Sequence, residues 1–171
     1  MSVDLRILAD LGDRIEWHDS LGSTNDRARE LALEKEGIEH GFVVGTEEQT
    51  AGRGRKGARW ISGPGLGLAF SMIARPPWKK ERWGWLSLAA GLAVCGTLEG
   101  LELTPEIKWP NDVLIEGRKV CGILIETVGE SAVIGIGINV NEREFPDELH
   151  AVSIQQALGN SEFQDFDEVT G

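Results

Sequence analysis

Three β-type runs joined by turns constrain this chain more than any other feature in it. Ile107 to Ile115, Val120 to Thr127 and Ala132 to Val140 are separated only by E-G-R-K (Glu116 to Lys119) and by the turn Val128 to Ser131. A parallel crossover needs about a dozen residues or more, so these runs can pair only antiparallel. In the last run Ile134, Ile136, Ile138 and Val140 alternate with Gly135, Gly137 and Asn139. One face is apolar, and the other is two glycines and an amide, bare enough for a flat ligand or for a closely packed helix.

The rest of the chain supplies partners for this sheet. Arg14 to His18 and Gly41 to Thr46 read as short strands, and Gly65 to Arg75 alternates Leu66, Leu68, Phe70, Met72 and Ala74 with small or polar residues. A helix is expected from the N-cap Ser23 through Ala28, Leu31, Ala32 and Lys35 to Gly37. A buried one is expected over Arg82 to Leu101, with Gly91 and Gly96 marking close packing, and a brief one over Ser153 to Leu158. The predicted fold class is α/β: a mixed, mainly antiparallel sheet with helices packed on one side. With 171 residues there is material for one good core, placed over residues 1–159, followed by an acidic tail over 160–171.

Charge is distributed unevenly. Thr50 to Trp60 (T-A-G-R-G-R-K-G-A-R-W) carries Arg53, Arg55, Lys56 and Arg59 and no acid, in a chain of net charge −11, so the remainder sums to −15. Glycines at Gly52, Gly54 and Gly57 let backbone N–H groups converge, and arginines offer forked donors. Such a loop fits an anion, or solvent alone. A pI near 4.7 argues against a nucleic-acid partner, which needs a broad basic face. No signal peptide or membrane-spanning run is visible, so a cytoplasmic protein with no membrane partner is expected. Cys95 and Cys121 read as packed thiols. His18, His40 and His150 have no metal-ligand spacing, and no Ser/His/Asp or Cys/His constellation is present.

Two further stretches bear on chemistry. Ser23, Thr24 and Asn25 begin a helix, where hydroxyls and free N–H groups either cap it or face a polar ligand. In E-I-K-W-P-N-D-V-L-I, Lys108 stands among apolar strand residues before Pro110 breaks the strand. Burying an unpaired ammonium is costly, so Lys108 is expected to face an anion.

Taken together, Ser23-Thr24-Asn25, E-Q-T-A-G-R-G-R-K-G-A-R-W, K-W-P-N-D and G-I-G-I-N resemble, in order and spacing, the biotin protein ligases, also called biotin–[acetyl-CoA carboxylase] ligases. The resemblance runs from about Arg14 to Gly159. It implies a fold like the class II aminoacyl-tRNA synthetase-type catalytic domain. It also implies a two-step reaction: biotin and Mg-ATP give biotinyl-AMP and pyrophosphate, and the adenylate then acylates a lysine of a biotin carboxyl carrier protein. By position, the resemblance implies Ser23, Thr24 and Gln49 at the ureido ring, with Asn25 beside them. Gly52, Arg53, Gly54 and Arg55 would wrap ligand and phosphate, and Lys108 would contact the carboxylate and α-phosphate. Gly122, Gly135, Gly137, Asn139 and Trp60 would complete the pocket, with Lys108, Arg53 and Arg55 catalytic.

The resemblance assigns no magnesium ligands and admits a homodimer. No helix-turn-helix segment precedes Ser23, so no DNA partner is expected, and the usual C-terminal β-barrel domain is not seen. A lipoate or octanoyl ligase, and a module that binds biotin without turnover, are the alternatives.

Overall fold

The structure, a computed structural model, describes residues 14–34, 38–61 and 63–159. The expected helix positions Lys35 and Gly37, the first 13 residues and the acidic tail from Asn160 lie outside the described residues.

Seven strands form one sheet: β1 (Ile15–Leu21), β2 (Phe42–Gln49), β3 (Gly67–Ala74), β4 (Pro105–Lys108), β5 (Asp112–Ile115), β6 (Arg118–Val128) and β7 (Ser131–Asn139). Their spatial order is β1-β2-β3-β7-β6-β5-β4, with β1 parallel to β2 and every other pair antiparallel. The mixed, mainly antiparallel sheet read from the turns is borne out. The run Ile107 to Ile115 is not one strand. It is the hairpin β4–β5, folded back at Trp109-Pro110 through a cis peptide. Between β5 and β6, Glu116 (φ 51°) and Gly117 (φ 75°) both take positive φ, as a two-residue hairpin turn of the type matched to strand twist requires.

The helices are α1 (Thr24–Glu34), α2 (Trp85–Glu99) and the short α3 (Ile154–Ala157). They do not share one side of the sheet, as the sequence reading expected. Val133 of β7 packs with Ala28 and Leu31 of α1, whereas its neighbours Ile134 and Ile136 pack with Leu86 and Ala90 of α2. Successive strand residues face opposite ways, so α1 and α2 cover opposite faces. The physical reason shows in β3, where the "polar" positions Ala69 and Ser71 are more deeply buried than Leu68 and Phe70, because α1 lies over them. Gly91 of α2 faces the sheet, but a Cβ there would meet Ile107 and Ile123 at 3.6 and 3.7 Å, an ordinary contact that does not require glycine. Gly96 faces open space.

α3 has Ser153 as N-cap in a reciprocal capping box with Gln156. Its flank stitches to the sheet: Asn139 Nδ2 donates to Lys119 O and Val152 O, both at 3.2 Å. Lys119 N in turn donates to His150 O at 2.8 Å.

Candidate active site

On the α1 face, a cavity of about 340 Å³ opens where the N-terminus of α1, the basic loop, the β4–β5 turn and the glycines of β6 and β7 meet. That volume is in the range of small-molecule pockets. Its walls carry five cations (Arg53, Arg55, Lys56, Arg59, Lys119) against one carboxylate, Asp112. Five of the chain's 17 lysines and arginines thus border one hollow with a single carboxylate, which favours an anionic ligand.

The basic loop is a small folded hairpin. Arg53 and Arg59 form an antiparallel bridge, Gly54 N donates to Ala58 O at 2.7 Å, and Trp60 N donates to Gly52 O at 3.0 Å. At its tip Lys56 and Gly57 take positive φ, 54° and 79°. Gly52 lies behind the cavity. A Cβ there would sit 2.5 Å from Trp60 O, so this glycine lets the base of the hairpin close.

At the other end Ser23, Thr24 and Asn25 are all buried. Gln49 Oε1 accepts from Thr24 N at 2.8 Å, so the side chain that ends β2 caps the first turn of α1. Ser71 Oγ lies 2.6 Å from Asn25 Oδ1 and 2.8 Å from Thr24 Oγ1. Asn25 Oδ1 can only accept, so the Ser71 proton lies there, and the Thr24 hydroxyl faces two acceptors, Ser71 and Gln49. Asn25 Nδ2 donates to Glu126 Oε2 at 2.7 Å, and Glu126 is forked onto Arg53 at 3.0 and 3.2 Å.

The bare floor read from β7 is covered by the protein's own side chains. A Cβ at Gly135 would lie 2.0 Å from Asn25 Oδ1, and one at Gly137 2.5 Å from the Trp60 indole. Gly122 underlies both Trp60 and Lys119, at 3.0 and 3.1 Å. The glycines are therefore close approaches that admit Asn25, Trp60 and Lys119. Trp60 Nε1 is buried without an acceptor among the described residues, a donor left over at the cavity wall.

Lys108 requires a correction. It is exposed on β4, the outermost strand, and is not among the residues lining the cavity. An ammonium on an edge strand keeps its water, so the burial argument made for it fails. Asn139 also stands behind the cavity, where it holds the backbone of Lys119. The remaining sequence-derived residues, Ser23, Thr24, Asn25, Gln49, Arg53, Gly54, Arg55, Trp60, Gly122, Gly135 and Gly137, are brought together on its walls.

K-W-P-N-D contributes its last three residues, Pro110, Asn111 and Asp112. Arg55 Nη1 donates to Asn111 Oδ1 at 3.1 Å, and Asn111 Nδ2 donates to Asp112 Oδ1 at 3.0 Å. Asp112 Oδ1 lies 2.8 Å from Lys119 Nζ. Lys119, read only as part of a turn, thus joins Lys56 as a lysine on the cavity wall, and it is the one supplied by the sheet. A bulge places it there. The β5–β6 register steps from Val113↔Cys121 to Leu114↔Lys119, leaving Val120 as an extra residue. Val120 and Cys121 are both buried in the core, and Lys119 joins Gly122 and Leu124 on the cavity. Strict alternation would have turned it the other way, and only an interrupted period in R-K-V-C-G could have signalled otherwise.

Charge states follow the geometry. Burial pushes the Glu126 carboxyl up, but hydrogen bonds from Asn25 and Arg53 and the charge of Arg53 outweigh it and hold it below the ordinary carboxylate value. The hydrogen bond to Glu126 raises Arg53 further. Among the described residues no group of three or more His, Cys, Asp or Glu could hold a metal ion.

Residues 17–141 match the model of the biotin/lipoate A/B protein ligase family. The chain is 43% identical over 159 residues to the bifunctional ligase/repressor BirA of Bacillus subtilis, covering 87% of this chain and 48% of that protein. It is 42% identical over 127 residues to the biotin–[acetyl-CoA-carboxylase] ligase of Mycobacterium tuberculosis, covering 71% and 47%. Among solved structures it resembles a biotin protein ligase from Aquifex aeolicus in complex with biotin and ATP, with a TM-score of 0.72, 34% identity and coverage of 84% and 60%. It also resembles the Leishmania major enzyme in complex with biotinyl-5-AMP, with a TM-score of 0.73, 29% identity and coverage of 83% and 63%. The chain spans about half the length of the curated relatives it matches.

Proposed function

Because this chain belongs to the biotin/lipoate A/B protein ligase family, we propose that its cavity activates biotin with ATP and passes the biotinyl group to a carrier-protein lysine. The observation that carries this reading is the ring of five cations with one carboxylate around a small-molecule-sized hollow in a chain of net charge −11. The complexes of its relatives with biotin and ATP and with biotinyl-5-AMP support the same substrates.

In the first step the biotin carboxylate attacks the α-phosphorus of ATP and pyrophosphate leaves. A carboxylic acid is already ionised at neutral pH, so no general base is required. The obstacle is repulsion between anions, about 4 kcal/mol at 4 Å for an effective dielectric near 20. Arg53, Arg55 and Lys119 offset it and stabilise the charge that develops on the phosphorus oxygens. Ser23, Thr24 and Gln49 hold the ureido end, and the buried Trp60 Nε1 supplies one unpaired donor. In the second step an uncharged carrier lysine attacks the acyl carbon of the anhydride, and AMP leaves as the amide forms.

Magnesium enters as part of the Mg-ATP substrate. Asp112 alone offers a cavity carboxylate, which fits a metal held mainly by phosphates rather than a protein cage. On this reading residues 1–159 form the catalytic domain, whose partners are biotin, ATP and a biotin carboxyl carrier protein in the cytoplasm. A homodimer is compatible with this reading. The pI near 4.7 argues against a broad DNA-binding face.

Incubation of the protein with an apo carrier domain, ATP and either biotin or lipoate, read by intact mass, tests this. A biotin-sized increment on the carrier is expected. An increment with lipoate alone would reassign the substrate, and tight biotin binding without any increment would reduce the chain to a binding module.

A further inference from the structure

We propose that Glu126 is a positioning residue for the reaction: it anchors the loop guanidinium of Arg53 to the sheet and so sets the direction from which Arg53 meets the anion. The loop cannot set that direction by itself. Arg53 lies between Gly52 and Gly54, so neither neighbour has a side chain to restrain it, and the side chain is 38% exposed. Glu126 comes from the middle of the sheet, on β6, and is only 21% exposed. Its two oxygens take Nη1 and Nη2 of Arg53 in a forked pair, the geometry that fixes a guanidinium in plane as well as in place.

Glu126 is itself held. Asn25 Nδ2 donates to the same Oε2 at 2.7 Å, and Asn25 is buried and locked from behind by Ser71 at 2.6 Å. Turning Asn25 would part its buried amide from both Ser71 and Glu126, and turning Glu126 would leave that amide nitrogen only a 3.4 Å contact with Leu124 O. The anchor therefore runs from β3 through the first turn of α1 and β6 to the loop, and it ends on a cavity-lining cation. Asp26 adds a bond to Arg53 Nη2 at 2.6 Å, but it is 49% exposed, where ion pairs contribute little. Together the two carboxylates engage three of the five guanidinium N–H groups, so two stay available to a ligand.

What Arg53 acts on rests on the ligase reading above; the anchoring does not. Two measurements separate them. The first is pyrophosphate release against biotin concentration for the parent protein, Glu126→Gln, Arg53→Ala and the double variant. Glu126→Gln is expected to lower kcat/KM for biotin by roughly 10- to 100-fold, the scale of a misplaced catalytic group. The double variant should be no worse than Arg53→Ala alone. Unchanged or increased activity in Glu126→Gln overturns the proposal, and so does a loss that multiplies with that of Arg53→Ala, since Glu126 would then act independently of Arg53.

The second is the rate of tryptic cleavage after Arg53 without ligand, which should rise at least fivefold in Glu126→Gln; equal rates overturn the proposal. If the parent protein makes no biotinyl-AMP, the ligase reading fails and the cleavage rates alone decide the anchor. If Glu126→Gln does not fold, Arg53→Lys replaces it, keeping the charge but losing the fork. It should show the same loss, and parent-level activity in that variant overturns the proposal.

Discussion

Two lysines 11 positions apart illustrate how much one residue's surroundings decide. Lys108 stands on the outermost strand in water, whereas Lys119 lies over Gly122 with its Nζ 2.8 Å from Asp112 and 5.8 Å from the centre of the Trp60 ring. Its backbone is fixed as well, by hydrogen bonds involving Asn139, His150 and Val152. A cation held this firmly at a cavity wall is the kind of preorganised donor whose removal costs about two to three orders of magnitude in rate. Lys119→Ala should therefore slow pyrophosphate release by that factor, while Lys108→Ala stays within about threefold of the parent, the small effect expected of an exposed substitution. A large loss in Lys108→Ala with little in Lys119→Ala would reverse the assignment.

Among the elements, α1 and β7 meet at close approach, where a Cβ at Gly135 would lie 2.0 Å from Asn25 Oδ1. Gly135 lets Asn25 sit directly on the strand, and Gly137 does the same for Trp60, but the two occupants differ in freedom. Asn25 is locked between Ser71 and Glu126, so a methyl group at position 135 has to displace α1 itself. Gly135→Ala is expected to destabilise the fold by about 1–3 kcal/mol, the usual cost of overpacking. Trp60 closes a surface hairpin that can lift, so Gly137→Ala should cost less stability while still reducing biotinyl-AMP formation. Urea denaturation of both variants alongside pyrophosphate release checks this; equal destabilisation would mean that the hairpin is as rigid as the helix.

At the scale of the whole molecule, stability should fall toward both ends of the pH range for different reasons. The hydrogen bond from Arg27 outweighs burial and, with the further help of His18, holds Glu16 below its ordinary value of 4.5; Glu126 is held low as described. A carboxyl depressed in the fold contributes stability that is present above the unfolded value and lost as pH falls through the folded one. Cys121 works in the opposite direction. Burial pushes its thiol up from 9.0 to about 12, so its contribution is full below pH 9 and lost as pH rises toward 12, where the unfolded thiol ionises first. Cys95 is raised as well, by burial and then by Glu99. Denaturation midpoints measured from pH 3 to 11 should show a plateau with both limbs. Cys121→Ala should flatten the alkaline limb relative to the parent; an unchanged limb would place its origin elsewhere.

Read alone, the sequence determined what depends on neighbours along the chain. Turns too short for crossovers required antiparallel pairing of β5, β6 and β7, glycines beside arginines marked the basic loop, and Ser23 marked the start of α1. Only the tertiary structure decided which side chains meet. Lys108 and Lys119 each stand beside strand positions, and their fates differ because β4 is an edge and β6 carries a bulge at Val120. Ser71 and Glu126 carry no signal of their own in the sequence, and they enter the site only because Asn25 of α1 meets both. Strand alternation names two faces but not what covers them. That depends on contacts between residues tens of positions apart, such as Asn25 with Glu126, and local pattern carries no term for them.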